Sequence, residues 1–111
     1  MIATKYVVLR ITIDEKENPV RLKLEGRIVG PWVAELARAW QSLGPSLGDR
    51  KLLVDLCGIS YINAEGRRIL AEMYRQTHAR FETDTPLTEY FAEEARASSK
   101  NGNGKARGEL K

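Results

Sequence analysis

The chain is poor in the residues on which most site chemistry is built. It has one cysteine, Cys57, which excludes an intramolecular disulfide framework and fits a reducing compartment. It has one histidine, His78, so a metal centre would rest on carboxylates, and none stand at ligand spacing. Cys57 has no histidine near it in sequence to act as its base. No residue reads as catalytic or metal-ligating, and no cofactor is implied. Long apolar runs are missing too. Nothing approaches the roughly 20 residues of a membrane span, and the N-terminus has no signal-peptide core. The chain therefore reads as a cytoplasmic protein without a membrane span. Gly26 and Gly30 are not followed by a Lys-Ser/Thr pair, so they do not make a phosphate loop.

A charge bias is also absent where it would matter. The net charge is +3, and residues 97–111 hold all of it, with four basic residues against Glu109. The rest of the chain is balanced at fourteen of each sign. A nucleic-acid-binding core would show a basic face or stripe, so nucleic acid is not an expected partner.

What the chain does have is a strand–turn–helix unit at Leu52–Gln76. Leu52, Leu53, Val54 and Leu56, broken only by Asp55, suit a strand covered on both faces. Asp55 is costly there unless hydrogen-bonded, which predicts a carboxylate that accepts backbone N–H groups. Cys57-Gly58 reads as a break, followed by a short Ile59–Ile62 segment. Asn63 is a good helix N-cap, and Ile69, Leu70, Met73 and Tyr74 repeat at helical spacing.

Before this unit, Tyr6–Ile13 and Val20–Glu25 alternate as two strands of a hairpin around a polar turn ending in Pro19. Gly26 ends the second strand. Gly30-Pro31 opens a helix whose Trp32, Leu36, Trp40 and Leu43 form a core-facing stripe, and Gly44-Pro45 stops it. After the central helix, Ala79–Glu82 is a weak strand. Thr85-Pro86 starts a last helix with Leu87, Tyr90, Phe91 and Ala95 inward. The order β-β-α-β-α-β-α predicts an α/β fold, a mostly parallel four-stranded sheet with an N-terminal hairpin and helices packed on it. One domain, 1–96, is expected, with 97–111 a disordered basic tail.

LLVDLCGISYINAEGRRILAEMYRQ resembles the central segment of the STAS domain, the fold of the anti-sigma factor antagonists. The Leu22–Ile28 strand, with its Gly26, is similar to the family's earlier strand, and the resemblance spans about Tyr6 to Arg96. It implies a bacterial, cytoplasmic, non-catalytic regulator of transcription. Such a regulator docks an anti-sigma factor or kinase-like protein partner, and a homodimer is possible. In that pattern a full domain continues into a further strand and helix, so a C-terminally truncated form is expected. The resemblance assigns the partner surface to Gly26, Arg27, Gly30 and Trp32, with Asn63, Ala64, Glu65, Gly66, Arg67 and Arg68. It also exposes a departure: Ala64 stands where the family carries a phosphorylated serine. A phosphate at a helix N-terminus adds about −1.5 to −2 charge and three acceptor oxygens. Ala64 has no hydroxyl to carry one, which implies binding without the usual serine switch. Ordinary helix-start electrostatics suffices for Glu65, and a solvated face competes with an interaction rim for Arg67 and Arg68. Two alternatives stand beside this reading. One is an accessory subunit of an ABC-type, lipid-handling transporter, and the other is an enzyme or nucleotide-binding protein on the same fold.

Overall fold

The computed structural model describes residues 8–104 except Glu17. Its elements are β1 (Leu9–Asp14), β2 (Val20–Ile28), α1 (Pro31–Ser46), β3 (Leu52–Ile62), α2 (Ala64–Thr77), β4 (Arg80–Glu82) and α3 (Pro86–Gly104). The sheet order is β1-β2-β3-β4, with β1 antiparallel to β2 and the other two pairings parallel. This is the expected α/β architecture. Both crossovers step the same way across the sheet, and with the usual right hand that puts α1 and α2 on one face. Leu22, Leu24 and Ile28 of β2 and Val54, Leu56 and Ile62 of β3 are fully buried, and Leu36, Leu70 and Met73 come down on them from the helices. The core is the single layer between sheet and helices.

The opposite face of the sheet is polar. Register and alternation put Arg10, Arg21, Lys23, Glu25, Asp55, Arg80 and Glu82 on it. β3 is therefore covered on one side by helices and on the other by charged side chains, rather than by helices on both.

Several boundaries differ from the sequence expectation. β2 runs through Gly26 to Ile28, and β3 runs unbroken through Cys57-Gly58 to Ile62. The glycines mark irregularities instead of ends. The β2–β3 register slips between Lys23 and Glu25 and again between Gly26 and Arg27, as β-bulges do. Gly26 has φ 110°, and a Cβ there would sit 2.0 Å from the Val8 carbonyl oxygen. That close approach of two backbones is why the position is glycine. α1 runs past Gly44-Pro45 to Ser46, because a proline in the last turn forfeits only one helical hydrogen bond.

α3 is rotated from the expected phase. Thr88, Phe91, Ala92 and Ala95 are buried, while Leu87 and Tyr90 are 47% and 53% exposed. The cap sets the phase. Thr85 Oγ1 accepts from Thr88 N at 3.0 Å, and Thr88 Oγ1 accepts from Thr85 N and Asp84 N at 3.1 Å each. This reciprocal box turns Thr88 inward, and Phe91, Ala92 and Ala95 follow it. α3 also continues through Gly104, past the expected boundary at residue 96, so 97–104 are helical where a disordered tail was expected. The remainder of the expected tail, 105–111, lies outside the described residues, as do Tyr6 and Val7 of the expected first strand.

Leu70→Ala removes a fully buried side chain at the centre of this layer. It should lower stability by about 2–5 kcal/mol in urea unfolding. A loss under about 0.5 kcal/mol would place Leu70 off the core.

Candidate functional site

The site is built where β2 and β3 end side by side. Ile28 pairs with Ile62, and Asn63 N donates to Ile28 O at 3.0 Å, so the chain leaves both strands at the same level. Each exit leads directly into a helix. Gly30, at φ 56°, precedes α1, whose Pro31 occupies the first turn with no side-chain cap. Asn63 has extended backbone, and its side chain accepts from Gly66 N at 2.8 Å, the expected N-cap of α2. Two helix N-termini thus flank one another at the carboxyl ends of adjacent parallel strands.

Gly66 fixes the spacing. It is buried, and a Cβ on it would lie 2.6 Å from Ile28 Cγ2 and 2.9 Å from Ile62 Cγ2. The first turn of α2 is pressed onto the paired isoleucines as closely as backbone permits. Gly66→Ala should therefore lower stability by about 1–3 kcal/mol in chemical denaturation, the range for overpacking. The same change in an exposed helix interior stabilises by about 1 kcal/mol. A gain at Gly66 would show that the contact is loose.

The other residues of the expected surface divide between framework and exposure. Gly26 lies inside β2, against Val8, and contributes backbone geometry. Trp32 is half-buried and packs on the core. Arg67 is partly buried, and its guanidinium donates to Ile62 O at 2.9 Å, tying α2 to the end of β3. Arg27, Gly30, Ala64, Glu65 and Arg68 are exposed. Arg68 pairs with Glu65 at 2.8 Å across one helical turn, with both side chains well solvated. Such a pair contributes only a few tenths of a kcal/mol. Glu65 lies in the first turn, where its charge is favourable to the helix dipole.

Sequence reasoning passed over Tyr61. It is 46% exposed, stands opposite Arg27 in the β2–β3 register, and meets the buried Phe91 ring edge-on at 6.4 Å. Tyr90, also exposed, packs tilted against Phe91 at 5.8 Å. The available signal was the alternation of β3 itself, which makes Tyr61 a solvent-side neighbour of Ile62.

The open sheet face holds a second constellation. Asp55 is 7% exposed, and its Oδ1 accepts from Cys57 N at 2.9 Å, satisfying the expectation for a buried carboxylate. Its Oδ2 accepts from Arg21 at 3.1 Å, and Arg21 also donates to Glu82 at 2.8 Å, binding three strands together. Desolvation pushes the Cys57 thiol up to about 11, helped by Asp55, Asp84 and Glu82. A thiol so placed is a poor nucleophile. At pH 8 its reaction with iodoacetamide should be about a hundredfold slower than in the urea-unfolded chain, because the thiolate fraction falls about tenfold for each pH step by which a thiol's pKa rises. Equal rates would show that the thiol is not held protonated. His78 lies elsewhere, at the C-terminus of α2 with φ 55°, and its ring packs edge-on against Tyr74. Among the described residues no group of three or more His, Cys, Asp or Glu is placed to hold a metal ion. No helix among them is long and apolar enough to cross a membrane.

Comparison with models of known protein families and with curated proteins yields no match.

Proposed function

We propose that the protein is a non-catalytic interaction module, resembling an anti-sigma factor antagonist, that docks a regulatory protein partner without a serine phospho-switch. The observation that carries the proposal is the shared level of the two helix starts, with Ala64 exposed at the first position of α2. In the family that the sequence resembles, this position bears the switching hydroxyl. The surroundings suit a protein contact: exposed Arg27, Glu65 and Arg68 supply charge of both signs, and the exposed ring of Tyr61 stands opposite Arg27 in the strand register. Interfaces combine aromatic anchors and arginine with a polar rim in this way. With no hydroxyl at position 64, occupancy by the partner is constitutive with respect to this site.

A photocrosslinking residue at position 64, installed in the native host, tests this directly. It should trap one protein partner, while the same residue at Arg38, on an exposed stretch of α1, should trap none. A kinase-like or anti-sigma partner supports the proposal. A permease or ATPase would instead assign the protein to the transporter-subunit alternative, and trapping only from position 38 would overturn the docking surface. Ala64→Ser should fold and bind that partner within about twofold of the wild type. It should be phosphorylated poorly, because Asn63 and Glu65 still replace the acid and the small residue of the family pattern. Phosphate found on the wild-type protein from its host, with weaker partner binding by that fraction, would contradict constitutive binding.

A further inference from the structure

A cleft opens at the β4 edge of the sheet, by the C-terminal end of α2 and the amino end of β3. Its volume is about 490 Å³, within the range of small-molecule sites. Tyr74 of α2 and Phe81 of β4 line it as a stacked pair, 6.2 Å apart at 25°, and both rings are half-buried. Lys51, Arg80 and Arg96 also line it, and no carboxylate does. This is local charge asymmetry in a chain whose described part is otherwise mixed.

The three cations are not equivalent. Arg96 lies over the Phe81 ring at 6.0 Å and is engaged by Glu93 and Glu89 at 3.3 and 3.7 Å. Lys51 and Arg80 are exposed and pair with no carboxylate among the described residues. The end of α2 would ordinarily present bare carbonyls hostile to an anion. Here the capping N–H of His78 occupies one of them, donating to Tyr74 O at 2.7 Å. Apolar rings and two cations that pair with no carboxylate line one volume, Phe81 from the helix side of β4 and Arg80, its neighbour in the strand, from the open side at the sheet edge.

We infer that this cleft binds a small planar aromatic anion, its ring laid against Tyr74 and Phe81 and its acidic group between Lys51 and Arg80. The ring contribution comes from stacking and burial. The charged contribution comes from two exposed cations at the mouth, and it weakens as salt rises. The site is separate from the surface at the helix N-termini, which lies at the other end of the strands.

The probe is naphthalene-2-carboxylate, titrated into the full ¹⁵N-labelled chain, with the neutral naphthalene-2-methanol and ring-free acetate alongside. For a ligand of this size, the carboxylate should bind with Kd of about 1 mM. It should move the amide signals of Leu53, Ala79, Arg80 and Phe81. The neutral analogue and acetate should each bind at least about tenfold more weakly. Lys51→Glu/Arg80→Glu should abolish the carboxylate's shifts while keeping the dispersed spectrum of the folded protein. Tyr74→Leu, which keeps an apolar side chain, should weaken binding several-fold. The inference is overturned if the carboxylate moves no cleft amide at about 10 mM, roughly ten times the expected Kd. It is equally overturned if the neutral analogue binds as well, or if the charge-reversed variant binds unchanged.

Discussion

The contact on which the rest of the structure depends is that of Gly66 with Ile28 and Ile62. A methyl group at Gly66 would stand 2.6 and 2.9 Å from their Cγ2 atoms. No side chain separates the first turn of α2 from the two strand ends beneath it. The contact can form only because the parallel register brings Ile28 opposite Ile62. That register is reached through two slips, one of them at Gly26, where β2 meets the start of the hairpin with φ 110°. Glycines distant in sequence thus cooperate in one result, a pair of helix starts held level with each other. Position 64 is exposed because position 66 is buried: the tighter the first turn is seated, the more firmly its outer residues are presented.

The two faces of the sheet are held by different forces. On the helix side, branched and linear aliphatics exclude water, and stability there follows buried area. On the open side, Asp55 must be satisfied within the protein, and it recruits Arg21 and the Cys57 amide to do so. Arg21 then reaches Glu82 and joins β2 to the short edge strand β4, which carries only three residues. Most of these partners are half-exposed, so the network orients the strands more than it stabilises them. Desolvation, with help from Asp55 and Glu82 of this network, favours the protonated Cys57 thiol.

How much of this is legible in the sequence depends on whether a signal is local. Asn63 as N-cap, the helix stripe of Leu70 and Met73, and the brief β4 all follow from neighbours a few residues away, and the structure contains them. The continuity of β2 and β3 is not legible, because Gly26 and Gly58 serve the partner strand: each admits a close approach that only the paired structure reveals. The phase of α3 is hidden because Leu87 and Tyr90 are as apolar as Phe91. Thr88 decides it, through a hydroxyl consumed by the cap. Of the candidate surface, Arg27, Gly30, Ala64, Glu65 and Arg68 are exposed, whereas Gly26, Gly66 and Arg67 belong to its framework. Composition cannot make that distinction. It follows from Arg67 bonding Ile62 O and from the methyl groups packed beneath Gly66.

The most direct measurement is a nuclear Overhauser experiment on protein with labelled isoleucine methyls. Strong cross-peaks are expected from the γ2 methyls of both Ile28 and Ile62 to the α-protons of Gly66. A cross-peak is also expected between the α-proton of Val29 and the amide region of Asn63–Ala64, as for two chains leaving the sheet at one level. If Gly66 shows no contact with either methyl, or with Ile62 alone, β2 and β3 end at different heights. The paired helix starts would then not exist as a single surface.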